Sequence, residues 1–458
     1  MAAPYNFKFS LYLFLLYSLH VTNMAYTNNT TMLCHDHERS ALLHLKRSLS
    51  ASSHSSAYLK TASWRARGNS SNNCCSWDGV ECDDASGFVI GLDLSSSLLR
   101  ATLQSNSALF SLVHLQNLNL AENNFMNSLI PPEISHLLNL SFLNLSFSSF
   151  SGQVPLEFSR MSKLTSLDLS NNYLHGGFPI AVFNLPGLLV LNVSGNQNLS
   201  GYLPEFNQTS PFRELDIAWT NFYGNIPASI GNLRSLTRLR LRNCYFSGSF
   251  PPSIGNLTQL TYLSVASNMF STSGDLPWLQ KLTKLTVLNL DDTSLYGNIP
   301  PSIANLTELT VLSLSNNPFN RSRNLSWLGK LTKLTFLDLQ NSNLYGDIPP
   351  SLANQTQLTH LILCNNHFVG EIPHWIWNAS NNLELPPDDS DDDSGEDKFP
   401  SGFDWLFIFA GLGSGLVIGF VMGNILMDRQ PWLIPGIVQK FGRTQKKPRM
   451  QERQIFRA

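Results

Sequence analysis

Charge is scarce in this 458-residue chain: 14% of the residues are Asp, Glu, Lys or Arg, and the formal net charge is −2. So few cations, balanced by acids, give no general attraction to a phosphate backbone, which sets a nucleic-acid-binding class aside. Catalytic signatures are missing as well. The sequence holds no HRD or DFG triplet, no Walker loop and no HExxH pair, so an enzyme is not expected and no cofactor or metal is called for. Cysteine is limited to six residues, four of them before residue 83.

Long apolar runs are equally few. Residues 11–19, LYLFLLYSL, follow Lys8 and have the length of a secretory core, too short to span a bilayer. A signal peptide is expected over 1–25, with cleavage near Ala25. The second run, WLFIFAGLGSGLVIGFVMGNILM at 405–427, has 23 uncharged residues. At ~1.5 Å per residue that is roughly 34 Å of helix, enough to cross a ~30 Å hydrocarbon core. Eight acids and one lysine lie in ELPPDDSDDDSGEDK before it, and eight Lys or Arg in residues 428–458 after it. That asymmetry predicts a single pass at the plasma membrane with the N-terminus outside. The 31-residue tail is too short for a catalytic domain, and its cations suit topology and anionic-lipid contact. The acidic linker, 383–404, reads either as a solvated spacer or as a docking strip for a basic partner. Gly411, Gly415, Gly419 and Gly423 recur every four residues and line one helix face, where they let another membrane helix approach.

Between these segments the chain is a counted repeat. The unit LxxLxLxxN recurs with its central leucine at 92, 118, 143, 167, 191, 215, 239, 263, 288, 312, 337 and 361, at intervals of 24 to 26 residues. Each unit continues as a variant of xLxGxIPxxIxxL, as in TNFYGNIPASIGNL at 220–233. Such a unit makes one coil of a solenoid. Its leucines turn inward from a short strand, Gly allows a positive φ in the next turn, and Pro precedes a short helical or 3₁₀ return. The predicted fold is an α/β solenoid over 89–382, with parallel strands on the concave face, plus one transmembrane helix. The residues at the Asn position, which include Asn123, Asn172, Thr220, Cys244, Asn268 and Asn317, are all small and able to hydrogen-bond inward. Cys244 is thus expected to be a buried ladder residue.

Stacked coils share one core, and end coils need caps. The segment 26–88 reads as the N-terminal cap, with Cys34, Cys74, Cys75 and Cys82 forming two disulfides in a secreted setting. Adjacent Cys74 and Cys75 do not pair with each other, so Cys34 takes one and Cys82 the other. The CHDHE run offers Cys34, His35 and His37 as an alternative metal set, disfavoured because an oxidised cysteine is no thiolate ligand.

The cap with CCSWDGVEC, the LxGxIPxxIxxL repeats, the acidic juxtamembrane stretch, the glycine-rich membrane helix and the short basic tail together resemble a plant leucine-rich-repeat receptor-like protein, the kinase-less class that includes cell-surface disease-resistance receptors. The resemblance implies disulfides Cys34–Cys74 and Cys75–Cys82. It also implies recognition of an extracellular peptide, protein or glycan ligand, and signalling through adaptor and co-receptor receptor-like kinases. Family members usually carry twenty or more repeats, an island and a second cysteine cap; their absence here reads as a shortened member.

Candidate ligand contacts come from LTRLRLRNCYFSGSF at 236–250. Period-two alternation places Arg238, Arg240 and Arg242 on one strand face. Glu214 and Asp216 stand beside the first two in the preceding coil. Arg242 has alanines beside it, and Asp291 is the nearest acid in its row. Repulsion along the strand at ~6.7 Å spacing is about 0.6 kcal/mol per pair in water and roughly 2.5 kcal/mol at an effective dielectric of ~20. That is tolerable, so the arginines alone do not demand a ligand. Trp219 and Tyr262 flank them, and aromatic plus arginine is the composition of binding hot spots. Glycosylation sequons stand at Asn28, Asn29, Asn69, Asn139, Asn144, Asn192, Asn198, Asn207, Asn256, Asn305, Asn320, Asn324, Asn354 and Asn378. Glycans on Asn144 or Asn192 would crowd the N-terminal part of the concave face. A different class of function, a membrane-tethered decoy or inhibitor of wall-degrading enzymes without signalling output, fits the same sequence.

Overall fold

The computed structural model describes residues 33–51, 60–65, 73–271, 273–320 and 325–370. The expected signal peptide, acidic linker, membrane helix with its four glycines, and basic tail lie outside the described residues, as do Asn28, Asn29, Asn69, Asn324 and Asn378. Among the described residues no helix is long and apolar enough to cross a membrane.

Twelve parallel strands, one per repeat, form a continuous sheet from Val89–Asp93 to His360–Ile362. Leu92 pairs with Leu118, Leu118 with Leu143, and so on through Leu337 with Leu361, with no slip of register. The central leucines are at most 1% exposed. A one-residue slip would turn each of them to solvent, so the repeat itself fixes the register. The return of most coils is a 3₁₀ turn, such as Ala228–Asn232 or Pro252–Asn256, opened by a proline whose fixed φ suits the turn's start.

The asparagine ladder staples adjacent coils. Asn172 donates from Nδ2 to the carbonyls of Leu145, Leu169 and Ser170 at 2.8, 3.0 and 3.1 Å, while its Oδ1 accepts from the backbone N–H of Ser148 and Phe150. Just before each ladder residue the backbone is left-handed. Ser96, Glu122, Phe147, Asn171, Gly195, Trp219, Asn243 and their successors all have φ between 50° and 72°.

A second, lateral sheet follows the ladder. Its six strands run from Ser151–Gly152 to Met269–Phe270, and a separate pair joins Tyr345–Gly346 to His367–Phe368. The sequence predicts only a glycine turn before the helical return here. The missed signal is the alternation in stretches such as NFYGN, where Phe222 is fully buried and Tyr223 is exposed.

The cap packs a helix, Asp36–Ser48, over the first coil. Disulfides join Cys34 to Cys74 and Cys75 to Cys82. Glu38 is buried and accepts the N–H of Val89 at 2.9 Å, satisfying a donor at the sheet's end, and Trp64 stacks on Trp77. The strand Val80–Cys82 runs antiparallel to Val89–Asp93 and covers the edge of the main sheet. His35, weighed above as a metal ligand, stacks on Phe88 and contacts the Ser86 carbonyl at 3.0 Å.

Candidate ligand-binding face

The three arginines share the concave face of strand Arg238–Arg240 and its continuation, but they do three different things. Asp216 faces Arg240 in register, and the pair closes at 3.1 Å. On its other side Arg240 lies 4.9 Å from the centre of the Tyr262 ring, with Nη2 3.4 Å from the phenol oxygen. Burial pushes the Asp216 carboxyl above its ordinary value despite the downward pull of Arg240. Burial also works to lower the Arg240 guanidinium, and Asp216 and Tyr262 outweigh it, so the arginine is held above its ordinary value. Asp168, two coils earlier in the same row, is likewise pushed up by burial and accepts from Asn192 Nδ2 at 3.2 Å. Arg240 is therefore a strut between two groups of the protein.

Arg238 departs from the expected pairing. Glu214 is its register partner, yet among the described residues no ion pair joins them. The Arg238 guanidinium lies 5.5 Å from the Tyr262 ring instead. A ring between two guanidiniums offers each ~0.5–1 kcal/mol of cation–π attraction at no desolvation of an acid, which competes well with an exposed ion pair.

Arg242 sits 5.7 Å from the Trp219 ring, and its buried Nε has no hydrogen-bond partner. Asp291 is committed elsewhere: it accepts from Ser315 Oγ and Asn316 Nδ2 in the next coil, at 2.7 and 2.8 Å. Trp219 reaches Arg242 because its own backbone is left-handed, with φ 59°, and its N–H is held by the Arg242 carbonyl at 2.8 Å. Trp219 and Phe147 are the two aromatic residues at that recurring position among the described coils. A bulky side chain there costs ~1–2 kcal/mol relative to a right-handed backbone, which the adjacent coils reduce with Gly195 and Asn243. Cys244 behind them donates to the Ile217 carbonyl at 3.2 Å, and burial pushes its thiol up to about 11, which keeps it protonated and unreactive.

The face thus carries two outward-reaching cations, Arg238 and Arg242, around a self-neutralised centre, with an aromatic ring beside each. It suits a ligand with anionic groups and apolar side chains.

Comparison with known proteins follows the geometry. Residues 179–386 match the family described as a leucine-rich repeat region, and residues 35–83 the leucine rich repeat N-terminal domain. Receptor-like protein 6 of Arabidopsis thaliana is 52% identical over 114 residues, which are 25% of this chain and 11% of that relative. The chain belongs to the plant leucine-rich-repeat receptor-like proteins. The solved structure of PEPR1-AtPEP1 superposes on this receptor-like protein with a TM-score of 0.59 at 31% identity, covering 74% of this chain and 50% of that one. A TDR receptor gives 0.57 at 32%, covering 62% and 48%. The matches therefore span a small part of the curated relative and about half of each solved chain.

In this receptor-like protein the sequons divide by exposure. Asn198, Asn207, Asn256, Asn305, Asn320 and Asn354 are exposed, while Asn139, Asn144 and Asn192 are half-buried. The Asn192 amide is occupied on both sides, donating to Asp168 and accepting from Ser194.

The backbone conformation of Trp219 supplies a test independent of any ligand. Trp219→Asn should stabilise the fold by about 0.5 to 1 kcal/mol in denaturant unfolding, because Asn tolerates the left-handed conformation. A loss of stability would mean that the indole's packing on Arg242 outweighs the backbone cost.

Proposed function

We propose that this receptor-like protein recognises an extracellular ligand on its concave face and signals at the plasma membrane by associating with receptor-like kinases in plant defence. One observation carries the reading: a tryptophan is kept at a left-handed position where the adjacent coils use Gly195 and Asn243, and it stands beside Arg242, which makes no ion pair with an acid among the described residues. Local rules are broken in this way where function requires it. The ligand class is a peptide or other molecule with anionic groups, held by Arg238 and Arg242 and stacked against Trp219 and Tyr262. The kinase association is assigned to the glycine face of the 405–427 segment and the acidic stretch before it.

The test is direct. Binding of a panel of acidic synthetic peptides to the purified chain should fall by about 2 kcal/mol, or ~30-fold, in both Arg242→Ala and Trp219→Ala, with Arg240→Ala acting chiefly through stability. Equal binding by the variants sinks the concave-face reading. A kinase recovered from plant membranes with the wild-type chain, and lost when Gly411, Gly415 and Gly419 become Leu, supports signalling. Capture of a wall-degrading enzyme with no kinase favours the tethered inhibitor.

A further inference from the structure

The lateral sheet carries a feature the concave face does not use. In the register of its strands, Ser200 pairs with Asn221 and Gly201 with Phe222, so the next residue, Tyr202, stands level with Tyr223. Tyr223 in turn pairs with Tyr245. The Cα atoms of three tyrosines, Tyr202 just past the end of its strand, therefore form a row perpendicular to three adjacent strands, at a spacing of ~4.8 Å. They are 49, 53 and 53% exposed, while the alternate residues Leu199, Phe222 and Phe246 are fully buried. The rings point outward by the strand's own period.

The neighbouring rows are polar and neutral. Asn221 lies on one side of the tyrosines, and Asn225 paired with Ser247 lies on the other. None of the three phenol hydroxyls and neither of the two amides has a hydrogen-bond partner among the described residues. The stretches NLSGY, NFYGN and YFSGS contain no charged residue, so the face is matched in charge to an uncharged ligand. Strands on both sides keep the backbone of Asn221–Asn225 paired, so no sheet edge is open to an added peptide strand. The row is also too polar at its borders for a lipid chain.

We propose that Tyr202, Tyr223 and Tyr245 form a stacking platform for a neutral, β-linked oligosaccharide. A pyranose in such a chain presents a face of axial C–H groups and a rim of equatorial hydroxyls. The C–H face lies on a tyrosine ring, and the rim meets the amides of Asn221 and Asn225 and the hydroxyl of Ser247. An extended β-linked chain advances per sugar by nearly the distance between adjacent strands, so its repeat keeps step with the row of tyrosine positions. A helical α-linked chain of the same sugar curls away after one contact. This site is separate from the concave arginines and stands whether or not they bind a ligand.

The experiment uses the purified full-length chain and cellohexaose, followed by titration calorimetry. Saturable binding is expected, weakened about tenfold by Tyr223→Ala and by Tyr245→Ala, and changed less than about twofold by Tyr223→Phe, which keeps the ring. Arg242→Ala should bind as the wild type does. The exposed tyrosine variants should keep the wild-type melting curve, which separates lost contact from lost fold. Absence of saturable binding, equal affinity for maltohexaose, or unchanged binding by both alanine variants overturns the proposal. Loss of cellohexaose binding in Arg242→Ala also overturns it, since the sugar would then lie on the concave face.

Discussion

Asn317→Ala is expected to destabilise the solenoid by about 3–5 kcal/mol, among the largest effects of any single substitution in the chain. Asn317 is 2% exposed. Its Nδ2 donates to the carbonyls of Leu290, Leu314 and Ser315 at 2.7, 2.9 and 3.1 Å. Its Oδ1 accepts from the Thr293 N–H, the Thr293 hydroxyl and the Leu295 N–H at 3.1, 3.1 and 2.9 Å. Alanine strands the Thr293 and Leu295 N–H groups in a place water does not reach, each at a cost of ~1–3 kcal/mol before relaxation, and leaves the three carbonyls with one donor apiece, from Thr293 Oγ1, Ser342 Oγ and the Asp292 N–H. Because coils contact only their neighbours, the damage should be local. Hydrogen exchange should accelerate in the coils centred on Leu288 and Leu312 and stay unchanged near Leu143. Uniform acceleration along the chain would show that the solenoid unfolds as one unit.

Removing the Cys34–Cys74 disulfide, as Cys34→Ala with Cys74→Ala, should cost about 4 kcal/mol, against about 2.5 kcal/mol for Cys75–Cys82. The difference comes from the loops closed, with sequence separations of 40 and 7. The longer loop holds the helix Asp36–Ser48 against the tryptophan pair Trp64 and Trp77, whose rings stack with centroids 5.7 Å apart. Tryptophan fluorescence during denaturant unfolding should report an early transition in the first variant and a smaller shift in the second. If the two variants unfold together, the cap is held by Glu38 and its apolar contacts more than by either cross-link.

The main sheet was legible in the sequence because a 24- to 26-residue period leaves one arrangement in which every central leucine is inside. The ladder was legible for the same reason: Asn, Ser, Thr and Cys are small enough to turn inward at one position. The lateral sheet was not, because its strands are two to five residues long and carry glycines that read as turn signals, such as Gly224 at φ 87°. Register placed Glu214 beside Arg238, but register fixes Cα atoms and not rotamers, and the ring of Tyr262 drew the guanidinium away. The left-handed backbone of Trp219 was invisible for a different reason: nothing in a tryptophan's chemistry announces it, and only its position one residue before Thr220 in the repeat does.

The unbroken register of Leu92 through Leu361 has a metric consequence. Any two Cα positions in one row of the concave face are separated by a whole number of strand spacings, each ~4.8 Å, and no loop movement alters the count. From Asp216 to Arg240 is one graduation, and from Arg240 to Asp338, four strands on, is four. The protein is a ruler, and a molecule laid along it is gauged for length as well as for charge.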